Sequence, residues 1–134
     1  KLGWDLRVTK SGQEIDPYDP LWNTRYLIHK DSLGKIKGSA RIRPLVNPIM
    51  SNDLFGFNLP VDPKGVEISR LCGRNIVEMF QIGREWFEST NYEYLVGVYY
   101  PEMTPIWESA GWVPELLDQT TDSSDDLMYL GKWV

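Results

Sequence analysis

Residues 66–100, VEISRLCGRNIVEMFQIGREWFESTNYEYLVGVYY, decide the fold of this chain. The first six residues, VEISRL, predict a short strand, because apolar and polar positions alternate from Val66 onward. The middle predicts a helix over residues 76–90 with Asn75 as its N-cap, since apolar residues recur there every three or four positions. The last seven residues, YLVGVYY, predict a strand that is buried on both faces. We therefore expect a strand–helix–strand unit.

Two more strands are predicted ahead of this unit. Residues 25–30 (RYLIHK) and 35–43 (KIKGSARIR) are rich in strand-forming residues, and the turn-forming tetrad DSLG at 31–34 joins them into a hairpin. Residues 44–48 are expected to be irregular, because proline at both ends of this segment blocks helix and central strand. Residues 12–19 (GQEIDPYD) lack periodicity and predict a surface loop that leads into the sheet.

Beyond the unit, residues 102–110 predict a second helix that Gly111 closes, and residues 127–134 predict a last strand. The resulting order of strands, helix, strand, helix and strand contains no internal repeat. It predicts an α/β fold in which helices pack against a mixed sheet. At 134 residues, 42% hydrophobic and 25% charged, the chain has the composition of one globular domain.

Composition also narrows the function classes. Since a membrane span needs about 20 consecutive apolar residues, we expect no membrane span in this sequence. The single Cys72 predicts a protein of a reducing compartment, and we expect it to be cytoplasmic. Because the sequence has one cysteine and one histidine, His29, we expect no metal site. Residues 1–43 hold nine Lys or Arg against five Asp or Glu, which is typical either of an ordinary solvated surface of mixed charge or of a surface that binds an acidic partner. The overall charge of −5 argues against nucleic acid.

The candidate chemistry lies on the predicted strands. Arg41 stands in an apolar setting, and a guanidinium held among apolar residues usually pairs with a carboxylate. Glu67 and Arg70 are three residues apart, so they point to opposite faces of a regular strand and share a face only across a bulge. These residues indicate first a structural ion-pair network, and second a site in which a carboxylate acts as general base.

Several motifs of other enzymes do not occur in the sequence. It has no G-x-G-x-x-G, no G-x-x-x-x-G-K-[ST], no H-E-x-x-H and no G-x-S-x-G. These absences argue against dinucleotide binding, P-loop chemistry, zinc proteolysis and esterase chemistry.

Six segments, in their order and spacing, resemble the acyl-homoserine lactone synthases. They are LGWDL (2–6), EIDPYD (14–19), RYLI (25–28), GSARIRPL (38–45), NPIM (47–50) and VEISRL (66–71). The helix over residues 76–90, the segment YLVGVYYPEM (94–103) and the segment IWESAGW (106–112) are also similar, so the resemblance covers nearly the whole chain. The resemblance implies the fold of the GNAT N-acyltransferases: a mixed, mostly antiparallel sheet with a V-shaped splay and helices on both faces.

The resemblance also implies an enzyme, an acyltransferase that serves quorum sensing. Such an enzyme takes an acyl chain from acyl carrier protein, joins it to the amine of S-adenosylmethionine (SAM), and closes a lactone with release of methylthioadenosine. SAM is a substrate, and no cofactor is expected. The alternatives are a GNAT-type N-acyltransferase with a different acceptor or an acyl-CoA donor, and a non-catalytic ligand-binding domain.

The resemblance assigns roles to residues at the matching positions. Glu67 would assist deprotonation of the attacking amine, and Arg41 and Arg70 would pair with acidic groups and hold the site together. Trp4 would belong to the SAM pocket, with Asp16 and Asp19 in the loop that shapes it. The remaining expected binding residues are Phe55, Gly97 and Met103. Phe55 and Met103 are among the aromatic and methionine side chains that would line an acyl-chain pocket or serve in an ordinary core; the others are Trp4, Trp22, Phe57, Met79 and Trp107.

Two further expectations rest on the resemblance. Gly97 stands where relatives that prefer 3-oxo chains often have threonine, which favours an unsubstituted acyl chain. The family's first helix, which bears an arginine and an aromatic residue that close over the SAM site, would precede Lys1. We therefore expect residues 1–134 to form a single GNAT-like acyltransferase domain without that native N-terminal helix.

Overall fold

The computed structural model describes residues 7–8, 14–15 and 17–134 of the chain. The strands are β1 Arg7–Val8, β2 Glu14–Ile15, β3 Arg25–Lys30, β4 Ile36–Leu45, β5 Asp62–Gly73, β6 Tyr94–Tyr99, β7 Glu115–Thr121 and β8 Leu127–Trp133. The helices are α1 Met50–Phe55, α2 Ile76–Glu88 and α3 Thr104–Ser109, and a short 3₁₀ helix, Pro101–Met103, precedes α3.

The main sheet has six strands in the order β3-β4-β5-β6-β8-β7. Neighbouring strands are antiparallel except β5 and β6, which run parallel because α2 crosses between them. The parallel pairing joins Gly65 to Tyr94 and ends where Glu67 faces Val96. Beyond this point the two strands separate into a V. The predicted mixed, mostly antiparallel sheet with a splay is confirmed.

The two faces of the sheet carry separate cores. On one face, α2 and α3 cover the sheet, and Phe80 stacks on Trp107 with ring centroids 3.6 Å apart. On the other face, residues in and around α1 pack on Leu45, Val96 and Leu130. Helical segments therefore lie on both faces, as expected.

The predicted helix α2 forms because its apolar positions recur with helical period and bury Met79, Phe80 and Phe87. The Asn75 side chain caps it, accepting a hydrogen bond from the Glu78 backbone N–H at 3.1 Å. The helix ends at Glu88, two residues before the predicted end. The hairpin of β3 and β4, the strand β6 and the strand β8 also occupy the predicted segments.

Pro44 corrects the expectation of irregular backbone after residue 43. Strand β4 continues through Pro44, which faces Val66 of β5, and ends at Leu45. Strand β3 begins at Arg25, which faces Ile42, so the other edge of β4 is already free of a sheet partner at Pro44. A proline is tolerated at such an edge, because no sheet hydrogen bond needs its missing N–H.

Three segments, β1, β2 and β7, were not predicted as strands. Residues 14–15 of the predicted surface loop pair with residues 7–8 as β2 and β1. Strand β7 lies at the sheet edge in an acidic segment that has little apolar alternation, and it is mostly exposed. Among the described residues, no helix is long and apolar enough to cross a membrane.

Candidate active site

A buried charged cluster lies on the α1 face of the sheet. Arg41 of β4 faces Ser69 of β5 across the antiparallel ladder, and its Nε donates to Ser69 Oγ at 3.1 Å. Arg41 has no solvent exposure, at 0%. Its Nη2 also lies 3.0 Å from the thioether sulfur of Met50. The side chain is therefore fixed by the strand beside it and by the start of α1.

Asp19 joins two arginines. Its Oδ1 lies 3.1 Å from Nη1 of Arg41, and its Oδ2 lies 3.7 Å from Nη1 of Arg70. Tyr26 donates its hydroxyl hydrogen to the same carboxylate. Burial and this hydrogen bond raise the pKa of Tyr26 to about 12, so the hydroxyl stays protonated as a donor at neutral pH.

A bulge in β5 brings Arg70 to this cluster. Ser39 faces Cys72 and Arg41 faces Ser69, so β5 uses one more residue than β4 over this interval. Arg70 takes up the extra residue in a left-handed conformation, with φ of 51°. Its guanidinium thereby reaches Asp19 on the side where Arg41 lies. This is the strand distortion that Glu67 and Arg70 require in order to share a face.

Glu67 is buried against the first turn of α1. Its Oε1 accepts from the Met50 backbone N–H at 3.1 Å, and its Oε2 accepts from the Ser51 N–H at 2.9 Å and the Ser51 hydroxyl at 2.5 Å. The N-cap residue Ile49 supplies no side-chain cap, so the carboxylate from β5 takes that role. From the part of the chain that the structure describes, Oε1 accepts one hydrogen bond, so it has capacity to accept a proton or a water hydrogen.

Arg43 and Tyr18 hold the loop that carries Asp19. Arg43, which is also buried, donates to Asn23 Oδ1 at 2.7 Å, to Thr24 Oγ1 at 2.9 Å and to the Pro48 carbonyl at 3.1 Å. The ring of Tyr18 lies 5.6 Å from the guanidinium carbon of Arg41 and 5.9 Å from that of Arg43. The loop is thus tied to the sheet on both sides of Asp19.

An apolar cleft opens where β5 and β6 separate. Its volume is about 250 Å³. It is lined by residues 68–71 of β5, residues 97–100 at the end of β6, and Met103, Trp107 and Trp133. Ser69 and Arg70 belong both to the cleft and to the charged cluster. A ligand in the cleft would therefore lie beside Ser69 and Arg70, which contact the charged cluster.

The structure brings together most of the residues expected from the sequence. Asp19, Arg41 and Arg70 form the charged cluster. Glu67 lies two residues before Ser69 on the same face of β5. Gly97 and Met103 line the cleft. Phe55 lies apart from the cleft lining, partly buried on the second core beside Phe57. Met79 is in the first core, Trp107 lines the cleft, and Trp22 is 84% exposed. Trp4 and Asp16 lie outside the described residues.

Three contributors were not expected from the sequence. Tyr26 and Ser51 contact Asp19 and Glu67, and Arg43 anchors the Asp19 loop. The partners of Ser51 and Arg43 are 16 to 20 positions away in these contacts, so no local spacing could indicate them. The one available signal was the shared strand face of Arg41 and Arg43.

No protein-family model matches the chain. Two curated proteins similar to it in sequence are acyl-homoserine-lactone synthases. The one from Rhizobium etli is 27% identical over 149 aligned positions, which cover 99% of this chain and 69% of that protein. The one from Ralstonia solanacearum is 32% identical over 93 positions, covering 64% of this chain and 45% of that protein. The chain thus spans only part of the length of these relatives.

Solved structures have the same fold. TofI, in a ternary complex with an inhibitor and MTA, superposes with a TM-score of 0.79 at 22% identity, covering 98% of this chain and 74% of TofI. A CoA-dependent acyl-homoserine lactone synthase, BjaI, gives a TM-score of 0.79 at 20% identity, covering 93% of this chain and 64% of BjaI. An acyl-CoA N-acyltransferase from Pseudomonas aeruginosa gives 0.56 at 11% identity, over 83% and 68% of the two chains.

These similarities confirm the resemblance that the sequence predicts. The chain is related to the acyl-homoserine-lactone synthases, which are acyltransferase enzymes, and its fold is GNAT-like.

Proposed function

We propose that this chain carries the acyl-transfer site of an acyl-homoserine-lactone synthase, which joins an acyl chain to the amine of SAM and then forms the lactone. The observation that carries the proposal is the continuity of the buried charged cluster with the apolar cleft through Ser69 and Arg70. An acyl thioester needs an apolar channel for its chain, and a charged amine substrate needs polar groups at the mouth of that channel.

In the proposed reaction, the amine of SAM must lose a proton before it attacks, because an ammonium group has no free electron pair. Glu67 accepts this proton, directly or through a water molecule, at Oε1, which has remaining acceptor capacity. The nitrogen then bonds to the thioester carbonyl carbon, and the carbon–sulfur bond breaks with departure of the thiol. The SAM carboxylate next attacks the carbon bound to the sulfonium, which closes the lactone and releases methylthioadenosine.

The backbone of β6 supports the carbonyl in this proposal. Sheet pairing between β5 and β6 ends at Glu67 and Val96, and residues 97–100 border the cleft. A backbone N–H on this strand would donate to the oxyanion that forms during attack on the thioester. In this proposal Arg41 and Arg70 hold the site together through their ion pairs with Asp19, which belongs to the loop that shapes the SAM pocket.

For the acyl donor we propose acyl carrier protein, with coenzyme A as the second candidate. Acyl carrier protein follows from the sequence resemblance and suits the excess of basic residues in residues 1–43. Coenzyme A is supported by the solved neighbours BjaI and MesI, both described as CoA-dependent. Purified protein with SAM and either acyl donor, assayed for lactone and methylthioadenosine by mass spectrometry, distinguishes the two donors.

A Glu67 variant tests the assigned proton acceptor. We expect Glu67→Ala to lower kcat about 10²- to 10⁴-fold, the range that general-base catalysis usually contributes. Because Glu67 also caps α1, Ser51→Ala serves as the matched variant: it removes one of the three hydrogen bonds to the carboxylate and leaves the carboxylate in place. Ser51→Ala should retain kcat within about tenfold of the wild-type value.

The proposal fails if the folded wild-type protein forms an acyl-amine from coenzyme A thioester and another amine, but never a lactone from SAM. Equal kcat values for Glu67→Ala and wild type would remove Glu67 from the mechanism.

A further inference from the structure

Packed aromatic rings form the buried part of the cleft wall. Trp133 has 0% exposure, and Trp107 and Tyr99 are also buried. The ring centroid of Trp133 lies 4.3 Å from that of Trp107 and 5.5 Å from that of Tyr99. All three side chains line the cleft. The part of the cleft that these rings line therefore lies inside the protein.

Two glycines lie beside the Trp133 ring. Gly97 of β6 and Gly131 of β8 face each other directly across the ladder. A Cβ atom at Gly131 would lie 2.7 Å from Cε1 of Tyr99 and 3.1 Å from Cη2 of Trp133, and one at Gly97 would lie 3.0 Å from Cγ2 of Ile68. Since real Cβ atoms rarely approach so closely, a side chain at Gly131 would displace the Tyr99 or Trp133 ring, and one at Gly97 would press on Ile68.

The cleft volume sets a scale for the acyl group. A protein cavity of about 150 Å³ holds benzene, which has six carbons, so about 250 Å³ holds on the order of ten non-hydrogen atoms. The oxygen and the sulfur of the thioester take about two of those places. About eight acyl carbons then fill the cleft.

We propose that Trp133, seated over the Gly97–Gly131 pair, sets the upper limit of acyl-chain length at about eight carbons. This inference rests on the proposed function, because it assumes that the cleft binds the acyl chain. Each methylene that enters the apolar cleft raises kcat/KM about fourfold. A methylene that meets the Trp133 ring gains nothing and displaces packed side chains.

The test measures kcat/KM for acyl donors of four to twelve carbons. For the wild type we expect a rise up to about eight carbons and a fall of at least tenfold by twelve. Trp133→Leu replaces the ring by a smaller side chain, which lengthens the cleft. The chain length with the highest kcat/KM should then increase by two to four carbons. Trp86→Leu is the matched control, because Trp86 is a partly buried tryptophan of the same core that does not line the cleft. It should leave the optimum unchanged.

Trp133→Leu removes a fully buried ring, so its melting temperature is measured beside its activity. Should it fail to fold, Trp133→Phe, which keeps an aromatic ring of smaller size, should still move the optimum toward longer chains. A wild-type optimum at twelve carbons, or an unchanged optimum in a folded Trp133 variant, overturns the inference.

A binding arm separates this inference from the proposed function. N-acyl-homoserine lactones of four to twelve carbons are titrated while the melting temperature is followed. One outcome is a protein that makes no lactone but whose melting temperature rises with lactone chain length up to about eight carbons, and up to longer chains in Trp133→Leu. This outcome overturns the proposed function and supports the length limit. Stabilisation that continues to grow to twelve carbons in the wild type overturns the length limit alone.

Discussion

Asp19 is the residue on which the charged cluster converges. Its two carboxylate oxygens face Arg41 and Arg70, and Tyr26 donates to one of them. Arg41 is fully buried, so the cost of removing its charge from water must be offset by the groups around it. A single carboxylate thus connects its own loop to three strands, β3, β4 and β5.

Replacing Asp19 by asparagine should destabilise the fold more than an ordinary surface substitution does. We expect Asp19→Asn to lower the free energy of unfolding by about 2–3 kcal/mol, because the buried Arg41 loses a charged partner. Urea denaturation measures the effect. Asp118→Asn on the exposed strand β7 is the control and should stay within about 0.5 kcal/mol of wild type. Equal midpoints for both variants would contradict the role of Asp19.

At this scale, the sequence pointed to Glu67, Arg41 and Arg70 because charged residues in apolar strands need partners. It could not indicate that Ser51 and two backbone N–H groups of α1 bind Glu67, since that contact depends on how α1 docks on β5. Tyr26 was equally hidden, because an aromatic residue in an edge strand is ordinary.

At the scale of elements, the bulge in β5 decides which residues meet. Arg70 takes a left-handed conformation there, which costs a residue with a side chain about 1–2 kcal/mol relative to the right-handed form. Glycine does not carry this cost. The backbone conformation of Arg70 therefore destabilises the fold, whereas the ion pair of its guanidinium with Asp19 stabilises it.

Two substitutions separate these contributions. Arg70→Gly and Arg70→Ala both remove the guanidinium, but only glycine relieves the left-handed backbone. We expect Arg70→Gly to be more stable than Arg70→Ala by about 1 kcal/mol, with both variants equally impaired in lactone formation. Guanidinium chloride denaturation gives the difference. A more stable alanine variant would contradict a left-handed residue at this position.

Elements with strong periodicity were predictable, and elements defined by their neighbours were not. The apolar spacing of α2 and the unbroken apolar run of β6 follow from how each is buried. Strand β7 (ELLDQTT) pairs with β8 at the edge of the sheet and leaves most of its side chains in solvent, so burial imposes no pattern on it. Strand β4 can continue through Pro44 because β3 begins opposite Ile42. The sequence around Pro44 carries no information about where β3 begins.

At the scale of the whole molecule, two tyrosines of the β6 segment tie it to its surroundings. Tyr94 donates to Asp62 at the start of β5, and Tyr100 donates to Asp122 in the turn between β7 and β8, both at 2.7 Å. These hydrogen bonds, together with backbone N–H donors, hold the pKa of Asp62 and of Asp122 below the ordinary value of 3.8.

These two carboxylates predict a loss of stability in acid. Their pKa values are lower in the folded than in the unfolded state, so their contribution is full above 3.8 and is lost as pH falls through the lowered values. The urea midpoint of the wild type should therefore fall below pH 4. The double variant Asp62→Asn, Asp122→Asn should show a shallower fall over the same range. Parallel curves for the two proteins would count against this origin.

The short parallel ladder between β5 and β6 is also the weakest backbone connection within the six-stranded sheet. Three residue pairs join these strands, whereas seven join β4 to β5 and five join β6 to β8. A force or fluctuation that parts the sheet breaks the fewest backbone bonds here, with α2 as the remaining covalent bridge between the halves. A molecule bound in the cleft contacts both halves of the sheet and links them. The difference in rigidity between the empty and the filled protein should therefore be largest along the β5–β6 ladder.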